Sequence, residues 1–276
     1  MQIEIALTNT DEKILECNYH HALSSALYHL LTQQAPQLAT QLHDGASRSR
    51  LKLFVFSPLN SDPKPEIAPG PPAGFQMGKR LWMRLSSIVP EILFALSEGL
   101  LKAGTLQIQN KRFKVEKIDM VRPPDFQSST VYRPFGQSGM IVCRYSTGER
   151  TVFRFPGDKA DGYLPGCAEL MAANLRHKLL RMKEVRPDIL ENILSAGGLS
   201  ETDIKTTPVQ IEFLPLTAER PYRTGYYTIK SAPVRAFRAP VRLTAPEPFH
   251  RVVWECGLGS LNSQGFGLMT FGKQED

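Results

Sequence analysis

The order of strand and helix patterns along the chain is the feature that most constrains its fold. Alternating apolar side chains predict a half-buried strand, and apolar side chains at three- and four-residue spacing predict a helix. In the first half these patterns give strand 2–7, a helix from Leu23 to Leu31, strands 51–57 and 80–85, a helix from Pro90 to Gly104, and extended stretches 105–109 and 113–121. The order βαββαβ is typical of a ferredoxin-like unit.

The same order recurs in the second half of the chain. A proline-containing, Ser/Thr-rich stretch, residues 122–138, predicts a connection between two domains. Beyond it, the patterns are strands 140–145 and 151–155, a helix after Pro165, strands 209–214, 226–229 and 234–243, a helix 246–256 and a last strand 266–271. We therefore predict an α+β protein of two tandem ferredoxin-like domains, residues 1–122 and 139–276. Residues 58–78, with six prolines, are expected to form a surface excursion without regular structure.

Composition narrows the class of protein. With 42% hydrophobic and 22% charged residues the chain is typical of a globular protein, and no apolar run reaches the roughly 20 residues of a membrane span. No secretory signal precedes the first strand, which predicts a cytoplasmic protein without a membrane partner. The four cysteines are scattered and no histidine stands at metal-ligand spacing, so we expect neither a metal site nor another cofactor.

Positive charge is concentrated in one segment. Residues 220–251 contain seven basic residues and one acidic residue, whereas the rest of a chain with net charge +6 is balanced. Tyrosines and a phenylalanine alternate with these cations, which favours RNA or single-stranded nucleic acid as a partner. A solvated strand face is the alternative interpretation.

This basic segment leads into a glycine-rich stretch, Gly257-Leu-Gly-Ser-Leu-Asn-Ser-Gln-Gly-Phe-Gly-Leu-Met269. Glycine lacks the Cβ that keeps a polyanion at a distance and permits positive φ, so successive N–H groups can point toward a phosphate. The serine, asparagine and glutamine side chains add neutral donors. A glycine helix cap followed by a loose hairpin is the alternative.

The glycine-rich stretch resembles the signature loop of the CRISPR-associated repeat-processing endoribonucleases, whose members have duplicated ferredoxin-like domains. The resemblance extends over nearly the whole sequence. Further matching segments are Leu23-Ser-Ser-Ala-Leu-Tyr28, Pro36-Gln-Leu-Ala-Thr-Gln-Leu-His43, Leu51-Lys-Leu-Phe-Val-Phe-Ser57, Val89-Pro-Glu-Ile92 and Glu98-Gly-Leu-Leu101.

This resemblance implies metal-independent cleavage of a CRISPR precursor RNA within each repeat, leaving a 2′,3′-cyclic phosphate and a 5′-hydroxyl. By local motif the catalytic residues fall on Tyr28, His43 and Lys52. His43 would act as general base or acid, Lys52 would stabilise charge on the phosphorane, and Tyr28 would orient or donate a proton. RNA binding is assigned to Lys230, Arg235, Arg238, Arg242, Gly257, Gly259, Ser260, Asn262, Ser263, Gly265 and Gly267.

Each catalytic assignment has an alternative. His43 could cap a helix, Tyr28 could lie at the edge of the core, and Lys52 could be an exposed charge on a strand. Four further residues could substitute for an assigned one, namely Arg48, Arg50, His20 and His21.

A second function also stays open at this point, because the superfamily implied by the resemblance includes non-catalytic RNA-binding subunits of CRISPR ribonucleoproteins. The expected partner in either case is CRISPR repeat RNA, with an effector complex and a second copy of the chain as further candidates. A nucleotide-binding enzyme is disfavoured, because the glycine stretch follows a helix and precedes a strand, the reverse of the order such folds use.

Overall fold

The computed structural model describes residues 1–10, 14–43, 52–68, 73–144, 151–161 and 164–271, without the side chains of Gln41, His43 and Arg144. The elements of the first domain are β1 (Gln2–Thr8), β2 (Ile14–Glu16), α1 (His20–Gln34), α2 (Pro36–His43), β3 (Phe54–Phe56), β4 (Asn60–Asp62), β5 (Glu66–Ala68), β6 (Gly74–Gln76), β7 (Arg80–Ser87), α3 (Pro90–Ala103), β8 (Thr105–Ile108) and β9 (Lys111–Val121).

The first sheet is antiparallel and has the strand order β3-β7-β1-β9-β8, with β4 also paired to β7. Its central strand β1 buries Ile3, Ile5 and Leu7, as the alternating pattern predicted. Helices α1 and α3 pack together over the sheet. Both bounds of α3 follow from local chemistry, because Pro90 occupies the first turn and Gly104 ends the helix at φ +64°.

The excursion at residues 58–78 is more ordered than the sequence indicated. The prediction of no regular structure there is wrong, since β5 and β6 pair with each other and β6 pairs with β2. Pro63 and Pro65 stand between β4 and β5, where no ladder hydrogen bond is needed. A proline-rich composition therefore concealed a small three-stranded sheet.

The second domain has its own set of elements. They are β10 (Ser129–Pro134), β11 (Cys143–Arg144), β12 (Val152–Phe153), α4 (Cys167–Val185), α5 (Pro187–Ala196), α6 (Asp203–Thr206), β13 (Gln210–Phe213), β14 (Arg223–Ile229), β15 (Ala232–Arg238), β16 (Val241–Thr244), α7 (Glu247–Cys256), a 3₁₀ helix (Asn262–Gln264) and β17 (Met269–Phe271).

The second sheet has the order β13-β16-β10-β17, which repeats the β3-β7-β1-β9 order of the first. This confirms the predicted α+β fold with two tandem ferredoxin-like units. Strands β14 and β15 form a separate two-stranded hairpin inserted between β13 and β16.

The second unit begins earlier than residue 139, the start that the sequence indicated. Its central strand is β10, which pairs with both β16 and β17 yet lies inside the predicted connection 122–138. Only Thr130 and Tyr132 of this strand are buried, and Pro134 ends it, so its apolar pattern was too weak to recognise. The segments predicted as first strands contribute only the two-residue strands β11 and β12, outside the sheet.

The two units share one continuous hydrophobic core. Helix α7 of the second unit packs against β3 and β7 of the first. The Ser86 hydroxyl donates to the Trp254 carbonyl oxygen at 2.8 Å, and the amino group of Met1 pairs with Glu255. The segment that follows α7, which is the glycine-rich stretch, is therefore held at the junction of the units. Within the described ranges, no helix is long and apolar enough to cross a membrane.

Candidate nucleic-acid and catalytic site

Three side chains on one face of α1 meet the glycine-rich stretch. His20, Ser24 and Tyr28 follow one another at intervals of four residues, which places them one above another on a helix. Ser24 donates from its hydroxyl to the Ser263 carbonyl oxygen at 2.7 Å. The Gln264 side-chain amide donates to the Ser24 hydroxyl at 2.9 Å. The 3₁₀ helix of the second unit is thereby fastened to the first helix of the first unit.

The hydrogen bond of His20 fixes the tautomer of its ring. Its Nδ1 lies 3.0 Å from the Gln264 carbonyl oxygen, which can only accept, so Nδ1 carries the proton in the neutral ring. The ring is 4% exposed and stacks on Phe266 with a centroid separation of 4.7 Å. Burial lowers the pKa of His20 to about 4, although the bond to Gln264 opposes the shift. His20 is therefore a neutral bridge between the units at pH 7.

Tyr28 and Lys52, two of the predicted catalytic residues, lie side by side. The Lys52 Nζ is 5.7 Å from the centroid of the Tyr28 ring. Burial raises the pKa of Tyr28, against the effect of a hydrogen bond with the Ser263 side chain. The phenol consequently stays protonated near neutral pH, which makes it a hydrogen-bond donor rather than a base.

The third predicted catalytic residue, His43, is the last residue of α2, and its side chain lies outside the described part of the structure. The Lys52 ammonium group donates to the carbonyl oxygen of Leu42, the residue before His43. Lys52 thus contacts both Tyr28 and the backbone at the end of α2. Arg48 and Arg50 also lie outside the described residues.

The glycines of the loop are packed against the protein itself. Gly257, Gly259, Gly265 and Gly267 all have positive φ. A Cβ on Gly267 would lie 2.0 Å from the Leu258 carbonyl oxygen, and one on Gly259 would lie 2.5 Å from that of Ile141. Only glycine therefore permits this path of the chain.

Several backbone N–H groups of the loop already have protein acceptors. Gly267 N–H donates to the Gly139 carbonyl oxygen and Ser260 N–H donates to that of Ile141, both at 2.7 Å. The Asn262 side-chain amide stabilises the loop by donating to the Phe266 carbonyl oxygen at 3.0 Å. Direct phosphate binding by the loop stays a prediction. Of the loop residues assigned to RNA binding, Ser260 and Ser263 are half-exposed and the others are buried.

Lys178 is a residue of this region that the sequence analysis missed. It is 1% exposed on α4, and its Nζ donates to the carbonyl oxygens of Gly257 at 2.7 Å and Gly259 at 3.1 Å. Burial lowers the pKa of Lys178 to about 8. Its position on the apolar stripe of α4, between Leu175 and Met182, was the available signal, because lysine is rarely buried without a partner.

The predicted basic residues divide between two places. Lys230 lies in the turn of the β14–β15 hairpin, and Arg235 and Arg238 lie on β15. Arg238 donates to the Gln137 side-chain oxygen at 2.8 Å. Arg242 instead lies on β16 of the second sheet, where it forms an ion pair with Glu212 at 2.5 Å. The structure thus groups three of the four cations on one hairpin.

The inner face of this hairpin lies against the loop and α1. The Tyr227 ring meets the rings of Phe266 and His20 edge-on, with centroid separations of 5.0 and 5.1 Å. Thr228 N–H donates to the Asn18 side-chain oxygen at 3.1 Å. Hairpin, loop and α1 therefore form one packed assembly. Among the residues described, no three His, Cys, Asp or Glu side chains are grouped so that they could hold a metal ion.

Known proteins resemble the chain both in sequence and in structure. A Cas6 endoribonuclease of Pyrococcus furiosus is 32% identical over 116 residues, which is 41% of this chain and 41% of that protein. A solved structure described as a Cas6-related gene product of Pyrococcus furiosus covers 100% of this chain and 99% of its own, with a TM-score of 0.75 at 20% identity. Another, described as an RAMP protein binding different RNA substrates, covers 99% and 100%, with a TM-score of 0.72 at 21% identity.

Two family profiles match the two halves of the chain. Residues 14–119 match the family described as CRISPR-associated protein Cas6, N-terminal, and residues 162–271 match CRISPR-associated protein Cas6, C-terminal. The second match includes the glycine-rich loop. The chain therefore belongs to the CRISPR-associated Cas6 family.

Proposed function

We propose that this protein is an endoribonuclease that cuts CRISPR precursor RNA within its repeats by attack of the 2′-hydroxyl on the adjacent phosphate. The observation that carries the proposal is the meeting of Tyr28, Lys52 and the glycine-rich loop at the junction of the units. One RNA strand lying across this junction would contact both the glycine-rich loop of the second unit and the candidate catalytic residues of the first.

The reaction exchanges one P–O bond for another. The 2′-oxygen bonds to phosphorus as the bond from phosphorus to the 5′-oxygen breaks, leaving a 2′,3′-cyclic phosphate and a 5′-hydroxyl. A base must take the 2′-hydroxyl proton and an acid must supply a proton to the 5′-oxygen. No redox step and no metal ion is required for this balance.

We assign these roles to three residues. His43 is the base, since an imidazole has a pKa near neutrality. The protonated Tyr28 phenol donates to the reacting phosphate or to the departing oxygen, consistent with its raised pKa. The ammonium group of Lys52, beside the Tyr28 ring, stabilises the charge that develops on the phosphorane.

RNA binding is assigned to the hairpin cations Lys230, Arg235 and Arg238, to Arg242, and to the half-exposed serines of the loop. The glycines act by shaping the loop so that Ser263 reaches Tyr28. Because several cations contribute, affinity should fall steeply as salt increases. Sizing the protein with and without RNA would test whether a second copy joins the complex.

The test uses a repeat RNA from the CRISPR array encoded with this chain, with and without a single 2′-deoxynucleotide at the cut site and with a chelator present. We expect cleavage of the all-ribose RNA only, unaffected by the chelator, with fragments ending in a cyclic phosphate. His43→Ala should abolish cleavage and bind RNA nearly as the parent does.

Two results would contradict the proposal. Binding without cleavage of either RNA would favour the alternative of a non-catalytic RNA-binding subunit. Cleavage of the deoxy RNA, or cleavage by His43→Ala at the parent rate, would show that the nucleophile or the base is different.

A further inference from the structure

The outer face of the β14–β15 hairpin carries an exposed aromatic ring held by an arginine. Tyr226 on β14 is 73% exposed and lies directly opposite Arg235 on β15. The Arg235 guanidinium donates to the Tyr226 hydroxyl at 3.2 Å, and its central carbon lies 5.2 Å from the centroid of the Tyr226 ring. On its other side the same group lies 4.8 Å from the centroid of the Phe155 ring.

This arrangement holds the ring in place while leaving much of it open to water. Tyr227, the next residue of the same strand, instead packs its ring on the inner face of the hairpin. The bond from Arg235 limits rotation of the Tyr226 side chain, so a flat ligand would meet a ring that is already oriented. Residues 223–238, which form the hairpin, contain four basic residues and no acidic one, so the charge of the hairpin itself favours a polyanion.

We propose, on the basis of the proposed function, that Tyr226 is a stacking platform for one unpaired base of the bound RNA. Arg235 fixes the ring and lies where it can meet the phosphate next to that base. An aromatic face accepts any base that is free of its helix, whereas bases inside an A-form duplex are already stacked on one another. The ligand is therefore a single-stranded segment of the RNA.

The platform has a fixed position relative to the candidate catalytic residues. Tyr227, the next residue along β14, packs on Phe266 and His20. His20 belongs to the same helix as Tyr28, and the loop that carries Phe266 bonds to Tyr28 through Ser263. Tyr226 and Tyr28 are therefore connected through packed rings and hydrogen bonds. The stacked base should therefore stand a constant number of nucleotides from the cut.

The first experiment measures the affinity of a non-cleavable repeat RNA, made with one 2′-deoxynucleotide at the cut site, over a range of salt concentrations. The Tyr226→Ala variant lacks one stacking contact and should bind the RNA roughly tenfold more weakly than the parent. The slope of the logarithm of its binding constant against the logarithm of the salt concentration should be unchanged. Tyr226→Trp should bind at least as well as the parent. Arg235→Gln should bind more weakly and reduce the slope by about one.

Thr224→Ala is the matched control, because Thr224 is exposed on the same face of the same strand. It should bind as the parent does. Parent-like affinity of Tyr226→Ala would refute the platform, and so would equal losses in the Ala and Trp variants, since a tryptophan ring still stacks.

The second experiment replaces each nucleotide of the repeat RNA in turn by an abasic one. For the parent, one abasic position at a constant distance from the cut should weaken binding about as much as Tyr226→Ala does. In the Tyr226→Ala variant, an abasic nucleotide at the same position should cause no further loss of affinity. If the loss of affinity from Tyr226→Ala and the loss from an abasic nucleotide add together at every position, the platform is refuted.

The two proposals fail in different ways. If the parent binds the RNA but does not cut it, the endoribonuclease proposal fails while the abasic series still tests the platform. If the parent cuts the RNA and the abasic series is the same for parent and variant, the platform alone fails.

Discussion

Acidification should weaken this protein through one buried histidine. The folded pKa of His20 is about 4, against 6.5 for an exposed histidine, so between these values the unfolded chain binds a proton that the folded chain does not. The stabilisation is fully present above pH 6.5 and is lost as the pH falls toward 4. The whole difference is worth about 3 kcal/mol, of which about 2 kcal/mol is lost between pH 7 and pH 5.

The measurement is the free energy of unfolding in urea at pH 7 and pH 5, for the parent and for His20→Phe. A phenylalanine keeps a ring against Phe266 but cannot take a proton, so subtracting the result for His20→Phe from that for the parent cancels the contributions of the other titratable groups. We expect the parent to lose about 2 kcal/mol more than His20→Phe over this interval. Equal losses would mean that His20 takes up its proton without disturbing the junction.

Further predictions concern Lys178, the loop glycines and Ser263. Lys178→Met should lower the free energy of unfolding by about 2–4 kcal/mol, because the buried carbonyl oxygens of Gly257 and Gly259 lose their donor, and a loss below about 0.5 kcal/mol would contradict this. Gly267→Ala should lower the free energy of unfolding by more than about 2 kcal/mol, because its Cβ would overpack the loop. Gly104 has a similar φ and nothing within 4 Å of an added Cβ, so Gly104→Ala should lower it by only about 1 kcal/mol. If the proposed function holds, Ser263→Ala should reduce kcat about tenfold and weaken RNA binding by less than this, because the Tyr28 hydroxyl loses its partner. An unchanged kcat, or equal changes in kcat and affinity, would exclude a positioning role.

Much of the fold could be predicted from local pattern. Helix α3 has a proline at its start and a glycine at its end, and β1 alternates cleanly, so each was placed within a residue or two. Strand β10 was missed because most of its stability comes from the two strands beside it rather than from its own residues.

The site was predictable in its parts and not in its arrangement. The sequence and its resemblance to a known family named the glycine-rich loop, Tyr28 and Lys52 as site residues, and their roles stay predictions. Their meeting depends on hydrogen bonds between residues some 240 positions apart, such as that from Ser24 to Ser263, which no local pattern encodes. The apolar stripe of α4 could have indicated that Lys178 is buried, but its acceptors lie on a different element and could not be predicted from the stripe.

The docking of the loop on α1 has a consequence for biosynthesis. Units of a multidomain chain generally fold in order as they leave the ribosome, the N-terminal one first. Tyr28 and Lys52 are therefore in place early, while the partner of Tyr28, Ser263, belongs to the second unit and is made later. A nascent first unit would hold only half of the junction, so the proposed holding and cutting of RNA would have to wait until the second unit has been made and has docked on the first.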